Sequence, residues 1–138
     1  MLTTSVRDFT PRTSSSKESD TPKKIEFRDK LLSSPAFKEI ESIRALTRKG
    51  PLSLVITFYL YGQTDVEGRK KKDLDNMLKI VLDILPEYID NNKKETGLGL
   101  IESNKDELLF NIEATKKFVN DPTEEGVDIE LFEWTPTS

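Results

Sequence analysis

Two aspartates one residue apart, Asp73 and Asp75, follow four consecutive cations, Arg69, Lys70, Lys71 and Lys72. Asn76, Lys79 and Asp83 come next, at helical spacing. Cations at that density attract a polyanion, because each phosphate they neutralise releases condensed counterions. Carboxylates held close together attract a hard divalent cation such as Mg²⁺. A phosphate chain and a divalent metal in one place are what phosphodiester hydrolysis requires. The competing explanation is architectural: an Asp that caps a helix behind a solvated run of charge.

The helix that must position these residues reads from 74 to 85 and stops at Pro86, which cannot continue it. On a helical wheel Leu74, Met77, Leu78, Ile80, Val81, Leu82, Ile84 and Leu85 cover roughly 200°, wider than a surface helix needs, so most of this helix should be buried. The remaining wedge holds only Asp75, Asn76, Lys79 and Asp83. Asp75 and Lys79, and again Lys79 and Asp83, stand four residues apart, which salt-bridge laddering alone would explain. The side chains flanking Lys79 are short, however, and hold their polar groups near the backbone.

The chain has no His and no Cys. Thiol and imidazole nucleophiles, the commonest general base and ordinary zinc sites are therefore excluded. A Mg²⁺ site then needs a further carboxylate from another element. The best candidate is Asp106, at the entry to an alternating segment with Leu108, Phe110, Ile112 and Ala114 on one face and Leu109, Asn111 and Glu113 on the other. Glu102, Glu107 and Glu113 are weaker candidates.

Taken together, these residues resemble the RusA-type Holliday junction resolvases. The resemblance covers roughly residues 50 to 117. It rests on an alternating strand (Leu52, Leu54, Ile56, Phe58, Leu60), the basic run, Asp73-Leu74-Asp75-Asn76 with Lys79 and Asp83, and Asp106 ten residues before Lys116. It implies that Asp73, Asp75 and Asp106 bind Mg²⁺, with Mn²⁺ as a substitute, and that Lys79 assists catalysis. The family commonly has paired aspartates where this chain has Lys105-Asp106, and its link from helix to strand lacks much of Glu87 to Gly99.

With 138 residues, 35% hydrophobic and 33% charged, the chain is one domain with a modest core, which favours a homodimer. No run approaches the roughly 18 apolar residues of a membrane span, and the lack of Cys fits a reducing cytoplasm. Net charge is −4 and the pI near 5.0, against the grain of a DNA-binding protein. The charge is divided, however: residues 1–72 carry 15 Lys and Arg against 9 Asp and Glu, while residues 73–138 carry 6 against 16.

The expected elements are few. Residues 1–22 read as a flexible, Ser- and Thr-rich arm with a short strand near Val6 to Phe9, and 23–138 as the folded domain. A short helix is expected over 24–34. Ser34-Pro35 should cap a second helix to about Leu46, which buries Phe37, Ile40, Ile43 and Leu46 and ends in the basic cluster Arg44, Arg48 and Lys49. Strands are expected from Leu52 to Tyr61, after Asp106, and from Val127 to Glu133. Tyr59 and Tyr61 could stack on bases, although packing accounts for them more simply. Gly97-Leu98-Gly99 has no phosphate-loop context and reads as a turn.

The expected fold is therefore α+β: two layers, a small mixed β-sheet with helices packed on one face, RusA-like. The expected function is Mg²⁺-dependent, structure-selective DNA endonuclease action that resolves four-way junctions by paired symmetric nicks. In that scheme Asp75 and Asp106 hold the metal, with Asp73 a ligand or orienter, and Lys79 stabilises charge on the phosphate. Asn76 fixes an aspartate and Asp83 orients Lys79. Arg69, Lys70, Lys71, Lys72 and Lys116 meet the DNA backbone. Three alternatives stay open: an inactive junction-binding protein of the same fold, an acidic protein-interaction domain, and a nuclease for flaps or single strands.

Overall fold

The computed structural model describes residues 2–11, 21–38, 40–47, 50–61, 74–86, 97–100 and 108–136, without the side chains of 21–23, 46 and 74–76. Its organising element is a ten-residue strand, Leu52–Tyr61. Alternating apolar side chains with β-branched and aromatic neighbours suit a pleated, half-buried backbone. Leu52, Leu54, Ile56, Phe58 and Leu60 are all at most 1% exposed, whereas Val55, Thr57 and Tyr59 are half-buried. The strand thus has one core-facing row and one more open row.

Four strands form one mixed sheet: β1 (Leu2–Arg7), β2 (Leu52–Tyr61), β3 (Leu109–Val119) and β4 (Gly126–Glu133), in the order β1-β4-β2-β3. β4 runs antiparallel to both β1 and β2, and β3 runs parallel to β2. The register places Leu131 and Ile129 beside Leu54 and Ile56 and continues the buried row across the sheet. Parallel neighbours need a crossover, and it contains α3 (Leu74–Ile84).

Helices α1 (Thr21–Leu32) and α2 (Ile40–Thr47) precede β2. α1 contributes Phe27 and Leu31, one helical turn apart, to the same core as Met77, Ile80, Val81 and Ile84 of α3. Phe9, just past β1, stacks on Phe27 at 5.0 Å. Between α1 and α2 a 3₁₀ turn, Pro35–Phe37, is capped by Ser34, whose Oγ accepts the Ala36 N–H at 3.3 Å and shares a 2.9 Å hydrogen bond with Thr4. α3 ends against the buried segment 97–100: the carbonyls of Ile84 and Leu85 accept the N–H groups of Leu98 and Leu100. These bonds satisfy carbonyls that the end of a helix would otherwise leave open.

Several expectations need correction. The N-terminal arm of 1–22 is not wholly an arm, since Leu2–Arg7 is a strand in the sheet and α1 begins at Thr21. Pro35 starts a single 3₁₀ turn, and α2 is a separate helix from Ile40, because the Lys38 N–H bonds to the Pro35 carbonyl and closes the turn. The alternation after Asp106 is interrupted. Leu109 opposes Leu52 and Asn111 opposes Ser53, so Phe110 is an extra residue in an irregular register, 57% exposed with its ring on Trp134 at 4.9 Å. Arg44 is not available as part of a basic cluster, because its guanidinium donates to the Leu98 carbonyl and pairs with Glu41.

Gly126 begins β4 between Arg7 and Tyr59. A Cβ there would sit 1.8 Å from the Val6 carbonyl oxygen, so the backbone itself would have to move. Gly126→Ala is expected to cost about 3 kcal/mol, comparable to Ile56→Ala in the core, while Phe110→Ala costs under about 1 kcal/mol. Urea denaturation of the three variants measures this order.

Candidate functional site

The aspartate-rich signature meets the start of α3. The helix begins at Leu74, so Asp73 stands immediately before it and Asp75 and Asn76 fall in its first turn. Such a position offers unpaired backbone N–H groups and the positive end of the helix dipole, which favour carboxylate or phosphate. Asp73, Asp106 and Arg69 to Lys72 lie outside the described residues, as do the side chains of Asp75 and Asn76. Glu102 and Glu107 lie outside them too.

The described part of α3 has a strongly divided surface. Met77, Ile80, Val81 and Ile84 are buried, Leu78 and Leu82 pack against the core, and Lys79 is exposed. Only the Lys79–Asp83 strip remains polar over these turns. Among the described residues Lys79 and Asp83 form no ion pair with each other. Asp83 Oδ2 instead accepts Lys24 Nζ of α1 at 2.7 Å, so Asp83 ties α3 to α1 rather than orienting Lys79. Lys79 is left reaching outward from the second turn of the helix.

Lys116 lies within β3 opposite Phe58, with its ammonium 5.8 Å from the Phe118 ring. Glu113 is exposed on the same strand. Among the described residues no three acidic side chains gather into a metal-binding set. The candidate ligands themselves belong to Asp73, Asp75 and Asp106. Their chemistry, hard oxygen donors in a chain without His or Cys, matches Mg²⁺.

A second polar constellation, not evident in the linear sequence, forms on the more open row of the sheet. Asp128 on β4 accepts hydrogen bonds from Ser5 Oγ on β1 at 2.7 Å and from the Tyr59 hydroxyl on β2 at 2.8 Å. Arg7 on β1 pairs with the same carboxylate at 2.8 Å and lays its guanidinium over the Tyr59 ring, 4.6 Å from its centroid. Partial burial pulls the Asp128 carboxyl upward, but hydrogen bonds from Ser5, Tyr59 and Arg7 together hold it below the usual carboxylate range. The bond to Asp128, with some burial, pushes the Tyr59 hydroxyl up. With Tyr59 occupied in this way, packing and hydrogen bonding account for it without any base. The residues are 52 to 123 positions apart along the chain except for Ser5 and Arg7, so only the strand order brings them together.

A shallow groove also runs between β1 and α1, lined by Arg7, Glu26, Asp29, Lys30 and Ser33. Its charges are of both signs and express no preference for a polyanion. No protein-family model matches the chain, and neither does any curated protein or any solved structure.

Asp128→Asn is expected to cost about 1 kcal/mol near neutral pH, a modest figure because the carboxylate is partly solvated. The ionised form carries this contribution, so it is fully present above the ordinary Asp value of about 4. It is lost as pH falls through the depressed folded-state value. Chemical denaturation of wild type and variant from pH 7 down to pH 2 should show the two curves converging.

Proposed function

We propose that this chain is a Mg²⁺-dependent, structure-selective DNA endonuclease that resolves four-way junctions as a two-fold dimer. The observation that carries this reading is the start of α3 at Leu74. In the sequence, a dense run of cations and two closely spaced aspartates lead directly into this helix, whose Lys79 is exposed. Backbone N–H groups, cations and carboxylates in one place suit a phosphodiester with a bound divalent metal.

Asp73, Asp75 and Asp106 would hold Mg²⁺, or Mn²⁺ in its place. When bound, the metal supplies a more acidic water and positive charge beside the phosphate. The protein's own groups do the rest. Lys79 places an ammonium near the phosphate oxygens as charge builds there. Arg69 to Lys72 grip backbone phosphates, which orients the duplex without reading its sequence. Asn76 hydrogen-bonds an aspartate and fixes its rotamer. Two copies related by a two-fold axis present two such sites to a substrate of matching symmetry.

The net charge of −4 and the commitment of Asp83 to Lys24 favour a second reading, an acidic interaction domain in which the aspartates only cap and bridge. A synthetic mobile junction beside linear duplex, flap and single-strand controls separates the readings. Paired symmetric nicks in the junction alone are expected in Mg²⁺ and not in chelator. Asp75→Asn should abolish them, and Lys79→Ala should slow them about 100-fold or more. Binding without cleavage indicates an inactive junction binder, and cleavage of flaps or single strands a different substrate class. Neither binding nor cleavage at low salt returns the acidic interaction domain.

A further inference from the structure

β3 is the terminal strand of the sheet, eleven residues long, and among the described residues nothing pairs with its outer edge. Natural sheets usually keep exposed edges short, or interrupt them with charge or proline. β3 carries charge at Glu113, Lys116 and Lys117, but it also exposes large apolar side chains: Phe110 at 57%, Ile112 at 40% and Phe118 at 39%. The other sheet edge is different. β1 has six residues, and its Thr4 is covered through Ser34 at the 3₁₀ turn.

The sequence of β3 complements itself when reversed. Its register with β2 puts Ile112, Ala114, Lys116 and Phe118 beside Leu54, Ile56, Phe58 and Leu60, on the core-facing side of the sheet. Glu113, Thr115 and Lys117 lie beside Val55, Thr57 and Tyr59, on the opposite side. A second copy laid antiparallel along this edge, about a two-fold axis normal to the sheet, keeps each set on its own side. If the axis passes through Thr115, each residue meets the one equally far on the other side of Thr115. Ile112 then faces Phe118, and Glu113 faces Lys117, each pair occurring twice. Thr115 faces its own copy. Ile112 and Phe118 find apolar partners and Glu113 and Lys117 find opposite charges, the pairings that stabilise antiparallel strands, while Ala114 meets Lys116 and Phe110, in the irregular stretch, meets Asn120. Among the described residues Glu113 and Lys117 form no ion pair.

Neighbouring registers lose this match. With the axis through Ala114, Phe110 meets Phe118, but Ile112 meets Lys116 and Glu113 meets Thr115, so the charge pairing is lost. With the axis through Lys116, Phe118 meets Ala114 and Lys117 meets Thr115. A shift of a single residue along one strand would turn core-facing side chains to the other side of the sheet.

We propose that the β3 edge is the homodimer interface, joining two four-stranded sheets into one continuous sheet about a two-fold axis at Thr115. The occupant is a second copy of this chain, chosen by charge and apolar complementarity along the strand. The inference does not depend on nuclease activity, since it concerns a separate edge of the fold. It does supply the symmetry that paired nicking would use.

The absence of Cys makes a direct test available. Facing Thr115 residues would have Cα atoms about 4.5–5.5 Å apart, within the range a disulfide spans. Two copies of Glu113 would lie about 13 Å apart or more, out of reach. Mild oxidation should therefore crosslink a Thr115→Cys variant rapidly and leave a Glu113→Cys variant without a covalent crosslink. Sedimentation equilibrium should give wild type twice the 15.8 kDa chain mass. Glu113→Lys and Lys117→Glu should each weaken the dimer about tenfold, and the double exchange should restore it. Circular dichroism checks that these surface variants remain folded. A mass of 15.8 kDa at every concentration overturns the proposal. A dimer indifferent to the charge exchange, or a Glu113→Cys variant that crosslinks as fast as Thr115→Cys, overturns this edge and register.

Discussion

The core-facing row of β2 is the constraint from which the rest of the structure follows. Leu52, Leu54, Ile56, Phe58 and Leu60 have virtually no exposed surface, and the elements before and after them are arranged to exclude water from that row. Side chains alternate strictly along a strand, so a one-residue slip would exchange this row for Ser53, Val55, Thr57 and Tyr59. Such a slip would remove five large apolar groups from the core, each worth about 2 kcal/mol. It would also dissolve the Asp128 constellation, whose Tyr59 hydroxyl comes from the opposite row. Hydrophobic burial on one side and a charged hydrogen-bond node on the other therefore select the same register.

The candidate site is fastened to this core through its poorly exposed side. Met77, Ile80, Val81 and Ile84 fix the azimuth of α3 and leave Lys79 outward. The far end of the helix is anchored by backbone bonds to Leu98 and Leu100, and these are in turn held by Arg44 and Thr47 of α2. Lys24 holds Asp83 from a third direction. A helix gripped along its apolar face and at its C-terminal end can present its first turn in a defined position, which functional groups on its opening residues require.

Local patterns made some of this legible and hid the rest. Strict alternation located Leu52–Tyr61, and the broad apolar arc ending at Pro86 located Leu74–Ile84, because each signal is longer than the noise of nearby residues. The N-terminal strand was obscured by its six residues, three of them Ser or Thr, since its stability comes from β4 and not from its own composition. The Lys24–Asp83 pair was hidden because i,i+4 spacing points Asp83 towards Lys79, while Lys24 lies 59 positions away. The node of Ser5, Arg7, Tyr59 and Asp128 is a product of strand order alone. The aspartate signature was legible as a motif, whereas convergence of Asp106 with Asp75 is a matter of three-dimensional placement that spacing does not determine.

β1 is made well before β4, its one partner among the described strands, so that Leu2 lies beside Leu131 only late in synthesis. At roughly 5–20 residues per second, translation leaves this strand without its neighbour for on the order of ten seconds. Its alternating Leu2, Thr4 and Val6 are exposed to other partners during that interval, while β2 and the helices can already assemble. β4, made after both of its neighbours, must be inserted between two strands already present. A nascent polypeptide stalled before Gly126 would display two unsatisfied edges at once, and its tendency to aggregate should be set by that missing strand.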